Sequence, residues 1–221
     1  FVDQSLPGLS TAEREAIYRA MNQVIAALHE LDPDQIGLSD FGKREGFVAR
    51  QVDRWSRNLQ ASPLPLSDDM RFMMDWLPQH LPPQTRSGLV HGDYRLDNLI
   101  FHPTELRVIG VLDWELSTLG DPMSDFAYHC MSWHIPHDLW RGIGGLDLRA
   151  LGIPDEASYR RWYLQRVSSA AAIRSFGARQ TVDWRTHAAR IAAASAPASP
   201  HAVFLGPDHV SVIPSKRPLE R

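Results

Sequence analysis

Between residues 89 and 121 the chain reads LVHGDYRLDNLIFHPTELRVIGVLDWELSTLGD, and this stretch limits the fold more than any other. Leu99-Ile100-Phe101 is a short apolar run, and Arg107 to Leu112 is a second one rich in β-branched residues. The polar segment His102 to Glu105 joins them, a pattern that predicts a β-hairpin. A hairpin returns the end of its second strand to the start of its first. Asn98 and Asp113 are therefore expected to meet at one end, with Asp93 one loop away.

The residue types that converge there are two carboxylates and one amide oxygen. All are hard oxygen donors, which suit Mg²⁺ and not a soft metal. Mg²⁺ keeps several waters and takes few protein ligands, so Asn98 and Asp113 are enough to hold it. Asp93 is then free to accept a proton from a hydroxyl nucleophile. This division of labour is that of kinase-type phosphoryl transfer, where the protein supplies positioning and charge neutralisation. A carboxylate–metal hydrolase would need a nucleophile motif or a His-rich metal set, and the sequence offers neither.

Around this stretch the pattern is mostly helical. Ser10 and Glu13 have capping-box spacing, and Ile17, Met21, Val24, Ile25, Leu28 and Leu31 recur at helical intervals, predicting a helix from about Thr11 to Leu31. Val48, Val52, Trp55 and Leu59 mark a second helix from about Phe47 to Leu59. Ser67 caps a third, with Met70, Met73, Met74 and Leu77 on its inner face. Asp121-Pro122 opens a fourth helix, in which Asp121 caps and Asp125 braces the loop that carries Asp93. Asp155 caps a last helix, to about Val167. Asp40-Phe41-Gly42 looks like a kinase metal-binding triplet, but no apolar strand leads into it; it reads as a turn with one buried Phe. His129, His134 and His137 do not share one helical face and read as separate structural histidines. Cys130 sits among apolar residues and reads as packed and inert.

Composition narrows the partners. The net charge is −3, so no basic field calls for nucleic acid or a membrane surface. No apolar run is long enough to span a bilayer. One cysteine, Cys130, excludes an internal disulfide and fits a cytoplasmic setting. The expected partner is a small-molecule hydroxyl substrate, and the sequence assigns no oligomeric state. After about residue 170 the text turns rich in Ala, Ser, Arg and Pro. Residues 186–221 are expected to form a poorly ordered tail with a short strand at Val210 to Ile213, which leaves residues 1–185 as the folded domain.

HGDYRLDN at 91–98 followed by VLDWELSTLGDP at 111–122 resembles the aminoglycoside phosphotransferase family, a branch of the protein-kinase-like fold. Within it the likeness is to the phosphotransferase domains of acyl-CoA dehydrogenase family members ten and eleven and their bacterial relatives. DQSLPGLS near the start, GLSDFGKREGFVARQVDRW at 37–55 and GLDLRALGIP at 145–154 carry it further. The resemblance implies an α+β fold: a kinase-like C-terminal lobe, mostly helical, with a catalytic β-hairpin. It implies ATP and Mg²⁺ as cofactors, Asp93 as the catalytic base, His91 orienting the catalytic loop, Asn98 and Asp113 on the metal, and Ile100 under the adenine ring. The acceptors it implies are small-molecule hydroxyls, among them hydroxyacyl-CoA thioesters. Gly92 stands where protein kinases have Arg, and Arg95 where aminoglycoside kinases often have His. The Gly-rich loop and strand Lys of an N-terminal lobe are absent from the sequence, and Lys43 falls in a loop. The chain is thus expected to be the C-terminal lobe alone, and a non-catalytic remnant or binding module is the alternative function.

Overall fold

Helix α1 (Thr11–Glu30) begins where the sequence places its capping box. Ser10 Oγ accepts from the Glu13 amide at 3.3 Å, and Glu13 Oε2 accepts from the Ser10 amide at 2.7 Å, so two otherwise orphaned donors are satisfied. Ile17, Met21, Ile25 and Leu28 lie three or four residues apart, share one face and are buried. Each such side chain contributes roughly 1.5–3 kcal/mol by leaving water. In this computed structural model the described residues are 1, 3–84, 86–139 and 141–167, with the backbone of 202–205 and 210–211.

Four short strands make up the centre: β1 (Gly88–Val90), β2 (Leu99–Phe101), β3 (Val108–Leu112) and β4 (Thr118–Gly120). The expected hairpin is β2 with β3, antiparallel, with Leu99 opposite Val111 and Ile100 opposite Gly110. A second antiparallel pair, β1 with β4, sets Leu89 opposite Leu119. That pair is not read from the sequence, because three-residue strands separated by a whole hairpin leave no period-2 signal. Its effect is to tie the chain entering residue 91 to the chain that has just left Asp113.

Helix α4 (Pro122–His129) starts as expected, with Asp121 accepting from the Met123 amide at 2.9 Å and Pro122 in the first turn. The single turn α5 (Leu148–Leu151) follows, and then α6 (Glu156–Arg166), where Asp155 accepts from the Ser158 amide at 2.6 Å. Tyr159 and Tyr163 of α6 are buried against α1, and together with Tyr94, Leu96, Phe126 and Ile143 they complete the main core. Cys130 is buried in that core as a free thiol.

Helices α2 (Phe47–Ala61) and α3 (Asp68–Trp76) lie outside it. Of α2 only Phe47 is buried, and Trp55 is exposed; of the methionine face of α3 only Met73 is buried. Residues 39–42 do form a turn, but Phe41 is 41% exposed, which corrects the buried Phe expected there. No helix among the described residues is long and apolar enough to cross a membrane.

Within the expected tail, β5 (Ala202–Leu205) pairs antiparallel with β3, and β6 (Val210–Ser211) pairs with β5. The strand expected at Val210 to Ile213 falls partly on β6. The rest of the tail and the boundary at residue 185 lie outside the described residues.

Candidate active site

The loop from His91 to Asn98 is held from three sides. From above, the buried carboxylate of Asp125 on α4 accepts the His91 amide at 2.7 Å and the Gly92 amide at 3.0 Å. Asp125 is itself met by His29 Nε2 of α1 at 3.2 Å, and His29 Nδ1 lies 2.8 Å from the Tyr163 hydroxyl. Burial opposes the charge on Asp125, but the His29 contact and the neighbouring histidines and amide outweigh it and hold the carboxyl below its usual range. From below, Tyr94 is fully buried and donates to the Met21 carbonyl at 2.9 Å, anchoring the loop to α1.

His91 supplies the third tie. Its Nε2 donates to the Leu112 carbonyl at 2.8 Å, and its Nδ1 accepts from the Asp93 amide at 3.2 Å. Burial pulls its pKa down, consistent with a neutral ring that donates at one nitrogen and accepts at the other. His91 thus couples the residue before Asp113 to Asp93 itself. It positions both and is fully shielded from solvent.

Asp93 is the focus of the loop. Its Oδ1 accepts from the Tyr128 hydroxyl at 2.7 Å, and its Oδ2 accepts from Asn98 Nδ2 at 3.1 Å and pairs with Arg95 Nη2 at 2.9 Å. Asn98 Nδ2 also donates to the Asp93 carbonyl at 2.9 Å, which turns its amide oxygen away from Asp93. The register of β2 and β3 places Asp113 just past the residue opposite Asn98, as the hairpin pattern predicts.

Asp113 itself adopts a left-handed conformation, φ 65° and ψ 61°. Its Oδ1 is buried and has no hydrogen-bond partner. A buried anionic oxygen without a donor is unfavourable unless a cation or a donor completes it. The donor set, one carboxylate and one amide oxygen, suits Mg²⁺ with water and phosphate oxygens filling the remaining positions. No group of three or more His, Cys, Asp or Glu among the described residues is placed to hold a metal ion, so a metal here would rest on this smaller set. Ile100 is half-buried on β2, opposite Gly110.

A further chain of charges runs away from Asp93. Arg95 Nε lies 3.6 Å from Asp97 Oδ1, and Arg141 Nη1 lies 2.6 Å from Asp97 Oδ2. Burial raises the Asp97 pKa against the pull of Arg95. Two further histidines have partners of their own. His129 is buried against the Tyr159 hydroxyl at 2.7 Å, with its pKa pulled down to about 4 mainly by burial, and His134 pairs with Glu156 at 2.9 Å.

Sequence reasoning brings Asp93, Asn98, Asp113 and Asp125 to their places. It misses Tyr128 as a partner of Asp93, and it misses Asp97, Arg141 and His29. Each of these contacts joins segments far apart in the chain, or rests on a loop conformation. Only the helical spacing of Asp121, Asp125 and Tyr128 hints that one face of α4 looks toward the loop.

The phosphotransferase enzyme family model matches residues 2–163. Mouse acyl-CoA dehydrogenase family member 10 is 47% identical over 165 residues, which cover 74% of this chain and 15% of that protein. Human acyl-CoA dehydrogenase family member 11 is 44% identical over 137 residues, covering 62% of this chain and 18% of that protein. The chain therefore spans only a small part of those relatives. A Ralstonia eutropha crystal structure assigned as an aminoglycoside phosphotransferase superposes with a TM-score of 0.73 at 60% identity, over 75% of this chain and 51% of that one. An aminoglycoside 3′-phosphotransferase of type VIII shares the fold at 17% identity and a TM-score of 0.53, over 88% of this chain and 65% of that one.

Proposed function

Because the chain belongs to the phosphotransferase enzyme family, we propose that it serves ATP- and Mg²⁺-dependent phosphorylation of a small-molecule hydroxyl, with Asp93 as the base. The observation that carries this reading is the Asp93 carboxylate, fixed by Tyr128, Asn98 and Arg95, beside a hairpin end where Asp113 Oδ1 is buried and unpartnered.

Asp93 accepts the proton of the acceptor hydroxyl as that oxygen bonds to the terminal phosphorus and the bond to the ADP leaving oxygen breaks. Asn98 and Asp113 would hold Mg²⁺, which supplies neutralisation of phosphate charge when bound. His91 and Asp125 hold the backbone that carries Asp93, so the carboxylate is in place before the acceptor arrives and only the Tyr128 contact is shared or displaced. The acyl-CoA dehydrogenase names of the mouse and human relatives favour a hydroxyacyl-CoA as acceptor.

The second reading, binding without turnover, is favoured by one observation. Lys43 is the one lysine among the described residues, and it lies in a loop and not on a strand where it could pair with phosphates. The two readings separate in one experiment. ATP is titrated with Mg²⁺ and with EDTA against this chain and against a longer chain extended upstream, and phosphoryl transfer to hydroxyacyl-CoAs, amino sugars and simple alcohols is followed. Mg²⁺-dependent ATP binding that Asp113→Ala removes, together with transfer by either chain, supports the kinase reading. ATP binding indifferent to Mg²⁺ and to Asp113→Ala would overturn it.

A further inference from the structure

Beside Asp93 a small half-open pocket is lined by Gln4, Arg95, Tyr128, Ser132 and Arg141 among others, and no carboxylate belongs to its lining. Asp93 and Asp97, which pair with the two arginines, stand outside it. Arg95 and Arg141 are the cationic side chains of the lining, each also holding its carboxylate partner outside it. Both are substantially covered, with side-chain exposures of 14% for Arg95 and 23% for Arg141, so their charge is less screened than on an open surface.

Two further polar groups wait in the wall. The Ser132 hydroxyl and the Gln4 side-chain oxygen are buried without hydrogen-bond partners, each residue being 5% exposed. Buried polar atoms in folded proteins are nearly always paired, so an unpaired cluster lining a cavity marks a place where something else completes it. The Gln4 amide can present either its oxygen or its NH₂ by a half turn. Arg141 adds a third sign: its φ of 54° lies in the left-handed region, which a non-glycine residue adopts at a cost. The loop accepts that strain while Arg141 holds its place on Asp97.

Location decides what the pocket serves. Tyr128 lines it and donates to Asp93, and Arg95 lines it and pairs with the same carboxylate. A group seated there is attached to something whose hydroxyl can reach Asp93. We propose that this pocket is an acceptor subsite that takes an anionic oxygen group, a carboxylate or a phosphate, carried by the hydroxyl substrate. The proposal rests on the phosphotransferase reading and adds an anion to its acceptor; in a hydroxyacyl-CoA, whose thioester is neutral, that anion is a phosphate of the CoA part. Guanidinium groups match both anions in paired hydrogen bonds, while a polycationic amino sugar would meet two like charges. There is room for one small group and not for a sugar ring.

The test compares matched acceptors by calorimetric titration of the whole chain, without ATP or Mg²⁺. The pairs are 3-hydroxybutyrate with 3-hydroxybutyramide, and glycerol 3-phosphate with glycerol. At least one anionic member is expected to bind tenfold or more tightly than its neutral partner, and which pair shows the larger ratio identifies carboxylate or phosphate as the natural group. Ser132→Ala is expected to reduce that ratio several-fold. Arg141→Lys keeps the charge but loses the fork, and should reduce it as well. Equal binding of anionic and neutral members, no binding of either, or a ratio unmoved by Ser132→Ala would overturn the subsite, whether or not Arg141→Lys folds. Because nucleotide is absent, failure here is separate from failure of the kinase reading. Selective binding without any phosphoryl transfer would leave the subsite standing and sink the activity, and equal phosphorylation of glycerol and glycerol 3-phosphate would do the reverse.

Discussion

The Tyr128 hydroxyl donates to Asp93 Oδ1 at 2.7 Å across 35 positions of sequence. With Asn98 and Arg95 on Oδ2, both oxygens of the carboxylate are engaged before any substrate arrives. An acceptor hydroxyl must therefore share or displace the Tyr128 contact. Burial and the adjacent Asp93 charge push the Tyr128 pKa well above that of an ordinary tyrosine, so the phenol remains a donor throughout the neutral range.

Tyr128→Phe removes that donor and keeps the ring. A hydrogen bond to a charged group contributes about 1.5–3 kcal/mol, so turnover is expected to fall by about tenfold or more, through lost orientation of Asp93. Binding of Mg²⁺-ATP should not change, since Tyr128 touches neither Asn98 nor Asp113 through any described hydrogen bond. Steady-state kinetics set beside nucleotide titration checks this, and a fall in nucleotide affinity with unchanged turnover would refute it.

Gly92→Ala should damage the fold at the site. Gly92 has φ 87°, and a Cβ there would lie 2.7 Å from the Leu116 carbonyl oxygen and 2.9 Å from Leu116 Cβ. Left-handed backbone and overpacking together predict a loss of about 2–4 kcal/mol. Urea denaturation measures it; a variant as stable as the parent would show that the loop does not hold this conformation.

This position also shows how far the sequence could be read. The sequence marks Gly92 as standing where protein kinases carry Arg, which explains nothing physical. The structure supplies the reason: the segment after Asp113 passes so close that no side chain fits. The caps at Ser10, Ser67, Asp121 and Asp155 and the β2–β3 hairpin were legible because each depends on residues within a few positions. The β1–β4 pair, the Tyr128–Asp93 bond and the Asp97–Arg141 pair were not, because each needs the folded path of distant segments. The exposure of Phe41 was misread for the same reason: aromatic character argues for burial, but the core leaves no place beside that turn.

Asp125 links the stability of the chain to pH. Its carboxyl is held below the ordinary range in the folded state, so its contribution is fully present above the unfolded value of about 4 and is lost as pH falls through the folded value. Asp125→Asn keeps one accepting oxygen and turns its NH₂ against either the Gly92 amide or the His91 amide and His29, which should cost about 3 kcal/mol at pH 7. Between pH 5 and pH 3 the parent should lose more stability than the variant. Denaturation curves across that range decide it, and parallel losses in both proteins would contradict the assigned charge.

The sharpest separation of roles comes from Asp93→Asn beside Asp113→Ala. Asn can keep the Asp93 contacts at little cost. Its oxygen accepts from Asn98 and Arg95 as Oδ2 does now, and its NH₂ donates to a Tyr128 oxygen whose own proton can rotate away. What it loses is the ability to take a proton. Turnover should fall by about 10²–10⁴-fold, with Mg²⁺-ATP affinity and stability nearly unchanged. Asp113→Ala removes the buried unpaired oxygen at the hairpin end, so metal-dependent nucleotide binding should be lost while the fold is kept or slightly stabilised. Side-by-side titration, turnover and urea curves for the two variants give two opposite patterns if the assignment holds. An Asp93→Asn protein with a near-normal rate would remove the base from Asp93 whatever the behaviour of Asp113.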